Sequence, residues 1–532
     1  MGEFIFRTEE LNDSQIESFF VSSPQDQSII DKLKAPSPVL LVGSRGVGKS
    51  FLFKFCANSM FGELNEKRIL PISVTFRKSS LLQTDIPEQF RHWMLCRICS
   101  ELIRSIKRTG RYIPTSHTIQ SLIGSETEGK NRLDSLVAEF EESWKTPGKE
   151  IQTDVIPSLD DFINIIEDLC HELDYERMVV FIDEAAHIFN PQQQREFFTL
   201  FRDLRSPYIK CNAAVYPGVT VYGDTFEPMH DALIITLNRN INDEHYVENM
   251  KAMVLRQTSD TVLSTKLSRN AGYFTLLAYA ASGNPRHLLN SVAMADKMDS
   301  NAVNQVFREY YREKLWSEHS NLSRRYPGYQ SFIDWGRDYV ETHVIPELKR
   351  KNDHYFENKT NKGTTMYFWV HKNAPEEVKT ALRLLEYSGL IYEDGTGIRA
   401  TRSEVGTRYM VNIGCLLAYE ASASTNGLSI IQNADIRRMS EYGANHQLYS
   451  SIKSSIIGNE TEALKAQFER SIDELELTEW QKAKMHEISI HTIGDLLSAS
   501  EEKLQGVKYI AEARARNIRN ACVAAVCEYL LG

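Results

Sequence analysis

The sequence lacks any apolar run near the roughly 18 residues needed to cross a bilayer. Its start has neither the basic segment nor the long apolar core of a signal peptide, and Phe6 stands where a myristoylation signal needs Ser or Thr. Basic residues are not in excess: 61 Lys and Arg face 71 Asp and Glu, a net charge of −10. We therefore expect a cytoplasmic protein without membrane contact, whose nucleic-acid binding, if any, is local.

Cysteine is scarce, with eight scattered residues and no framework spacing. This excludes a disulfide-rich scaffold and predicts reduced, buried thiols. Cys96 and Cys99 form a CxxC within a helical pattern, but no second pair accompanies them, so we interpret them as helix residues rather than zinc ligands. A composition of 42% hydrophobic and 25% charged residues excludes collagen-like and disordered chains, and the length predicts three or four domains.

Short apolar runs alternate with helical patterns in the first half of the chain. The runs predict buried strands at 38–42, 69–76, 178–182, 210–216 and 232–237. Strands separated by helices imply an α/β fold with a parallel sheet and right-handed crossovers. The polar stretch 110–158 contains several Gly and Pro residues, and we predict a mobile insertion there.

A complete GxxxxGKS loop follows the first predicted strand and opens a helix. It consists of Gly43, Ser44, Arg45, Gly46, Val47, Gly48, Lys49 and Ser50. Glycines let the backbone N–H groups surround a phosphate chain, and the helix start adds positive potential. Lys49 is expected to neutralise the β- and γ-phosphates of ATP, and Ser50 to bind Mg²⁺.

The run from Met178 leads into a pair of acids, Asp183 and Glu184. An acid at the end of a buried strand is poorly solvated unless it meets a cation, so Asp183 is a candidate metal ligand. Glu184 is the candidate base that orients and deprotonates an attacking water, which favours hydrolysis over binding alone.

These motifs and the order of the strands resemble an AAA+ ATPase, and several segments resemble the bacterial origin-recognition initiator clade. The segments that carry this resemblance are 6–11, 16–21, 214–219 and 283–286. The resemblance implies a helical lid in which Arg286, beside the helix cap Asn284, senses the γ-phosphate. It also implies a sensor on strand 210–216, for which Asn212 and Tyr216 both remain candidates, and an arginine finger, for which Arg202 or Arg205 is a candidate.

Two C-terminal segments resemble DNA-binding modules. A helix at 376–388, followed by a hairpin with its turn at 393–397, is typical of a winged helix, in which five basic residues are candidate phosphate contacts: Lys379, Arg383, Arg399, Arg402 and Arg408. The tail 477–518 resembles the C-terminal domain of the RNA polymerase α subunit, which implies a helix-hairpin-helix. Its hairpin would be 509–514, where Ala511 stands in place of the preferred Gly, with positive charge from Lys508, Arg514, Arg516 and Arg519. Winged helices serve equally well as protein-contact modules, and a protein-docking module is the alternative for the tail.

We thus predict a P-loop AAA+ core at 1–242, a helical lid at 243–320, a winged helix at 330–420 and a helix-hairpin-helix tail at 465–532. The predicted function is ATP hydrolysis with Mg²⁺ in a conformational cycle that acts on DNA, in a homo-oligomer. The alternative is a signalling switch, for example in phage defence, that binds ATP, assembles and recruits an effector protein.

Overall fold

The computed structural model describes residues 4–78, 87–113, 116–123, 132–143, 151–153, 156–185, 191–223, 225–258, 261–358, 363–453, 468–475 and 477–530. The described chain forms two compact units. Unit 1 comprises residues up to 260 together with 283–286, and unit 2 comprises 261–282 and 287 onward. No helix in the described part is long and apolar enough to span a membrane. The seven cysteines whose side chains are described are free and buried, as predicted.

Unit 1 contains a five-stranded parallel sheet. Its strands are β1 (Val39–Val42), β2 (Ile69–Thr75), β3 (Arg177–Asp183), β4 (Ile209–Val215) and β5 (Leu233–Thr236). The spatial order is β2-β3-β4-β1-β5, and every neighbouring pair is parallel. All five predicted strands are present, so the predicted α/β core with a parallel sheet is confirmed. The order requires crossovers, which bring the ends of β1, β3 and β4 to one edge of the sheet.

Helices cover both faces of this sheet. They are α1 (Asp13–Phe19), α2 (Pro24–Lys34), α3 (Lys49–Gly62), α4 (Leu64–Lys67), α5 (Pro87–Arg108), α6 (His117–Ile123), α7 (Arg132–Glu141), α8 (Leu159–Glu172), α9 (Pro191–Asp203), α10 (Pro228–Asp231) and α11 (Tyr246–Arg256). One hydrophobic cluster joins α2 and α3 to one face, and a larger cluster joins α5 to α9 to the other. Because β1, β3 and β4 are buried on both faces, they consist of mainly apolar runs rather than alternating ones, whereas the edge strand β5 is largely exposed.

The described part of 110–158 is not a mobile insertion. It contains α6 and α7, whose apolar residues join the larger core cluster: Ile119, Leu122, Leu133, Leu136, Val137 and Phe140 are all buried. These residues recur at helical spacing, a signal that the surrounding Gly and Pro residues concealed. The prediction was therefore wrong for this described part, and the remainder of the stretch lies outside the described residues.

Unit 2 is helical around a small sheet. Its helices are α12 (Thr261–Arg269), α13 (Ala271–Ala280), α14 (Pro285–Met294, with its first residues in unit 1), α15 (Ser300–Val306), α16 (Leu315–Ser320), α17 (Leu322–Arg325), α18 (Gln330–Asp338), α19 (Ile345–Asn358), α20 (Glu376–Ser388), α21 (Ile413–Leu417), α22 (Ala423–Gln432), α23 (Ser450–Lys453), α24 (Glu479–Glu487), α25 (Ile493–Ser498), α26 (Glu501–Gln505) and α27 (Glu512–Leu530). π-helical segments at Phe307–Lys314 and Tyr339–Val344 connect some of them. The strands are β6 (Tyr367–His371), β7 (Ile391–Arg399), β8 (Val405–Val411) and β9 (Met439–Tyr442), in the order β7-β8-β6-β9.

The predicted helix at 376–388 is present as α20, but the turn of the hairpin after it lies elsewhere. The turn was predicted at 393–397, whereas β7 continues through those residues and the chain reverses between Arg399 and Val405. Register shifts between Glu393, Gly395 and Ile398 mark bulges in the ladder. The glycines there thus lie in a bulged strand instead of a turn. Glycine is common in both, which is why the sequence pattern was misleading.

The tail packs against α20 through charged side chains that the sequence analysis assigned to DNA. Arg519 is 8% exposed, and its Nη1 lies 2.8 Å from Oε1 of Glu377, which is fully buried. Arg516 is 4% exposed and donates to the carbonyl of Asn373. The prediction that Arg516 and Arg519 contribute an external positive surface is therefore wrong, because both side chains are buried and have polar partners inside unit 2.

Candidate functional site

The loop between β1 and α3 has the shape of a phosphate cradle. Gly46 and Gly48 have φ angles of +86° and +104°, a region that glycine adopts without strain. A Cβ atom on Gly46 would lie 2.8 Å from Cβ of Arg286. Glycine at position 46 is therefore required both by the backbone conformation and by the close approach of a second chain segment.

Lys49 is the first residue of α3 and is 5% exposed. Its Nζ donates to the carbonyl oxygens of Gly43 and Ser44, and it lies 3.7 Å from the ring centroid of Tyr216. Burial lowers the pKa of Lys49 from 10.5 to about 7, with a further contribution from the nearby positive charge of Arg286, although Asp183 acts in the opposite direction. Main-chain carbonyls and a ring compensate a buried ammonium group poorly, and an anion in the loop would favour its charged form.

Asp183 ends β3, and Glu184 follows it with a left-handed φ of +57°. Burial raises the pKa of Asp183, while hydrogen bonds from the Ser50 hydroxyl and the Glu184 N–H oppose this change. Burial and the neighbouring Asp183 also raise the pKa of Glu184. A strained residue bearing a carboxylate with elevated basicity is typical of a functional site.

Arg77 is a residue of this site that the sequence analysis missed. Its Nε lies 3.5 Å from Oε2 of Glu184, and its Nη2 lies 3.1 Å from Oε1 of Glu9 in the N-terminal segment. Arg77 comes two residues after β2, the neighbour of β3. Since the carboxyl ends of parallel strands share an edge, this placement was a signal that could have found it.

The 283–286 segment belongs to unit 1, where it contacts the phosphate loop. The Asn284 amide donates to the carbonyl of Arg45 at 2.8 Å, and its Oδ1 accepts from the N–H of Arg286 at 3.1 Å. The capping role predicted for Asn284 is thus present. Arg286 lies against Gly46 and influences the charge of Lys49, so the candidate sensor is located beside the cradle.

Arg239 is a second missed residue, and it supports the loop from outside. Its Nη1 donates to the carbonyl of Val47 at 2.7 Å, and its Nη2 lies 3.5 Å from Oδ1 of Asp26, which is 1% exposed. It also restricts the turn at Gly283, where a Cβ atom would lie 2.7 Å from the Arg239 carbonyl. Its position three residues after β5 is the one sequence signal for this role.

The two candidates for the sensor on the fourth strand occupy different environments. Asn212 lies in the middle of β4 and is fully buried, with its amide donating to the carbonyl of Leu33 at 3.0 Å. Tyr216 follows the end of β4 and contacts Lys49. The geometry therefore favours Tyr216, because Asn212 is engaged with the end of α2.

The two finger candidates also differ. Arg202 lies in the last turn of α9 and donates to Asp203 and to the carbonyl of Thr225. Arg205 is exposed. Of the two, Arg205 is more available to another molecule.

The residues present fit a magnesium–triphosphate group. The hydroxyl of Ser44 is buried in the loop without a hydrogen-bond partner among the described residues, and Lys49 is a buried cation facing main-chain oxygens. Ser50 and Asp183 supply hydroxyl and carboxylate oxygens, the ligands that Mg²⁺ prefers. Donors for phosphate and ligands for metal thus occur side by side at one edge of the sheet.

Comparison with known proteins gives one family match. A family model described as ORC-CDC6-like matches residues 4–73, which contain the N-terminal segment, the phosphate loop and most of β2. No curated protein matches the chain. The family match agrees with the initiator-like resemblance over these residues.

Several solved structures are similar at low identity. A Walker-type ATPase of Pyrococcus abyssi is 14% identical over 78% of this chain and 97% of its own, with a TM-score of 0.35. The Aeropyrum pernix ORC2 protein is 12% identical over 79% of this chain and 92% of its own, with a TM-score of 0.36. The Thermotoga maritima RuvB branch migration motor is 13% identical over 73% of this chain and 93% of its own, with a TM-score of 0.28.

Proposed function

We propose that the chain is an AAA+ ATPase that hydrolyses Mg·ATP and uses the cycle to act on DNA, as a homo-oligomer. The observation that carries this proposal is the convergence of Lys49, Asp183, Glu184 and Arg286 on one phosphate loop within unit 1. A cation, a metal-binding acid, a base and a second cation are the groups that phosphoryl transfer to water requires.

In this proposal, bound Mg·ATP supplies the electrophilic γ-phosphorus and the metal charge. Lys49 would neutralise phosphate oxygens, while Ser50 and Asp183 would hold the metal ion. Glu184, with its raised pKa, accepts a proton from the attacking water at its carboxylate. Arg77 holds that carboxylate in position until the site is filled, and Arg286 adds positive charge beside Gly46.

The DNA part of the proposal is supported by exposed basic residues around the β7–β8 hairpin. Arg399 and Arg402 are exposed at its turn. Three further candidates already form ion pairs within unit 2: Lys379 and Arg383 with Glu376, and Arg408 with Asp394. We therefore assign the phosphate contacts of the winged-helix region to Arg399 and Arg402 first.

A Glu184→Gln variant tests the hydrolysis. We expect ATP turnover to fall by about 100-fold or more while ATP binding persists, since one general base contributes roughly this factor. Lys49→Ala should lose binding itself. Glu66→Gln, an exposed acid on α4, is the matched control and should turn over ATP normally. Equal turnover by Glu184→Gln and the parent protein would refute the role of Glu184.

The same variants distinguish an ATPase that acts on DNA through turnover from the signalling switch. Turnover stimulated by duplex or single-stranded DNA supports action on DNA. If biological activity survives in Glu184→Gln although turnover is lost, ATP binding suffices. That result would favour the signalling switch that recruits an effector protein over action on DNA through turnover.

A further inference from the structure

The tail presents two large aromatic side chains to solvent. Tyr509 is 67% exposed and Trp480 is 41% exposed. Arg514 links them, because its guanidinium lies 5.7 Å from the ring centroid of Trp480 and its Nη1 donates to the carbonyl of Tyr509 at 2.8 Å. The ammonium of Lys508 lies 5.1 Å from the ring centroid of Tyr509. We call Trp480, Lys508, Tyr509 and Arg514 the aromatic–cation patch.

Fold stability does not account for Tyr509. Its φ of +72° lies in the left-handed region, which disfavours large side chains and favours Gly or Asn. The ring gains little from burial, since two thirds of the residue is exposed. A side chain that strains the backbone without filling a core points to a role in binding.

The segment 503–517, which supplies three of the four patch residues, is locally positive even though the chain as a whole is acidic. Between residues 503 and 517 the exposed cations are Lys503, Lys508 and Arg514. Glu512 is the one acidic residue in that stretch, and its carboxylate already accepts from Asn445 at 3.1 Å and from Arg516 at 3.2 Å. Within this segment cations outnumber acids, and Lys508 and Arg514 lie beside the exposed rings.

We propose that the aromatic–cation patch binds single-stranded nucleic acid, with bases stacking on Tyr509 and Trp480 and phosphates contacting Lys508 and Arg514. Stacking on aromatic rings beside cations is the means by which proteins hold unpaired strands. A duplex keeps its base faces stacked and gives such rings little to bind. The inference rests on the DNA part of the proposed function and narrows it to unpaired strands at this surface.

The test uses the full chain without nucleotide and a labelled oligothymidylate of about 16 nucleotides, a length near the upper end of single-strand sites. Tyr509→Asn removes the ring and suits the left-handed backbone, so it should fold at least as well as the parent. We expect its dissociation constant to rise about tenfold, in the range measured for lost stacking. Tyr509→Phe keeps the ring and should bind like the parent.

Phe356→Ala removes a ring that is 41% exposed on α19 and serves as the matched control, with binding unchanged. Adding the oligonucleotide should quench the fluorescence of Trp480 in the parent protein. This quenching should be lost in Trp480→Phe. If duplex DNA binds as well as oligothymidylate and Tyr509→Asn has no effect, the patch proposal is wrong while DNA binding elsewhere stands. If neither nucleic acid binds in a salt-sensitive manner, the DNA proposal fails too, and a protein partner becomes the occupant of the patch.

Discussion

At the scale of single residues, Lys49 couples the proposed nucleotide site to stability. Its folded pKa of about 7 lies below the ordinary 10.5, so between these values the unfolded chain binds more protons and stability rises with pH. We expect Lys49→Met to stabilise the nucleotide-free protein by about 1 kcal/mol or more at pH 7, with the gain vanishing toward pH 10.5. Thermal unfolding across this pH range measures the effect, and the exposed Lys67→Met is the control. A gain independent of pH would contradict the lowered pKa.

Arg239 carries a second prediction at this scale. Arg239→Met removes the hydrogen bond to the Val47 carbonyl and leaves the buried Asp26 without its cation. We expect a loss of about 1–3 kcal/mol of stability and weaker ATP binding, because the loop is less well held. Asp26→Asn combined with Arg239→Met should recover part of the stability but not the affinity, as denaturation and nucleotide titration can show. Unchanged ATP affinity in Arg239→Met would exclude a positioning role.

At the scale of elements, the tail helix α27 is held to α20 by the buried pair Arg519–Glu377. Removing one partner leaves the other charge buried, so Arg519→Met should cost about 3–5 kcal/mol in chemical denaturation. The double variant with Glu377→Leu should cost less, because neither charge remains. Glu479→Gln is the control, since that side chain is 90% exposed and its pair with Lys482 is worth little. A loss below about 0.5 kcal/mol in Arg519→Met would show that the pair does not hold the helix.

Elements were predictable wherever periodicity was simple. The central strands β1, β3 and β4 are buried on both faces and thus form mainly apolar runs, and the edge strands β2 and β5 are also mainly apolar, which is why all five were found from the sequence. The burial of Arg519 had a signal, since helical spacing places it on the same stripe as Ala515 and Cys522, both fully buried. Local charge counts ignore that spacing. No comparable signal could have corrected the predicted turn at 393–397, because glycine is common both in turns and in β-bulges.

The residues that contact the site side chains depend on the order of the strands in the sheet, which no local sequence pattern reveals. Lys49, Asp183 and Glu184 were identified because their motifs lie at strand ends. Arg77 and Arg239 have no motif, and they reach the site only through the order of the strands. The same holds for 283–286, whose assignment to unit 1 depends on distant contacts with Arg45 and Arg239.

At the scale of the whole molecule, the net charge of −10 leaves nucleic-acid binding to local groups of cations, and the number of phosphates that they contact sets the response to salt. Binding by a broadly basic surface releases many counterions, whereas the aromatic–cation patch offers two cations, Lys508 and Arg514, to phosphates. At about 0.7 ions released per phosphate of a single strand, two contacts predict roughly sevenfold weaker binding between 50 and 200 mM salt. Six contacts would predict a loss of several hundredfold.

The measurement is a titration of oligothymidylate at several salt concentrations, with Lys508→Gln beside the parent. We expect the slope of log affinity against log salt to become shallower by about 0.7 in the variant, because one phosphate contact is lost. Tyr509→Asn should instead lower affinity at every salt concentration without changing the slope, since a stacked ring releases no ions. A parent slope steeper than about −4 would require more cations than the patch contains, and it would assign the strand to another surface of the chain.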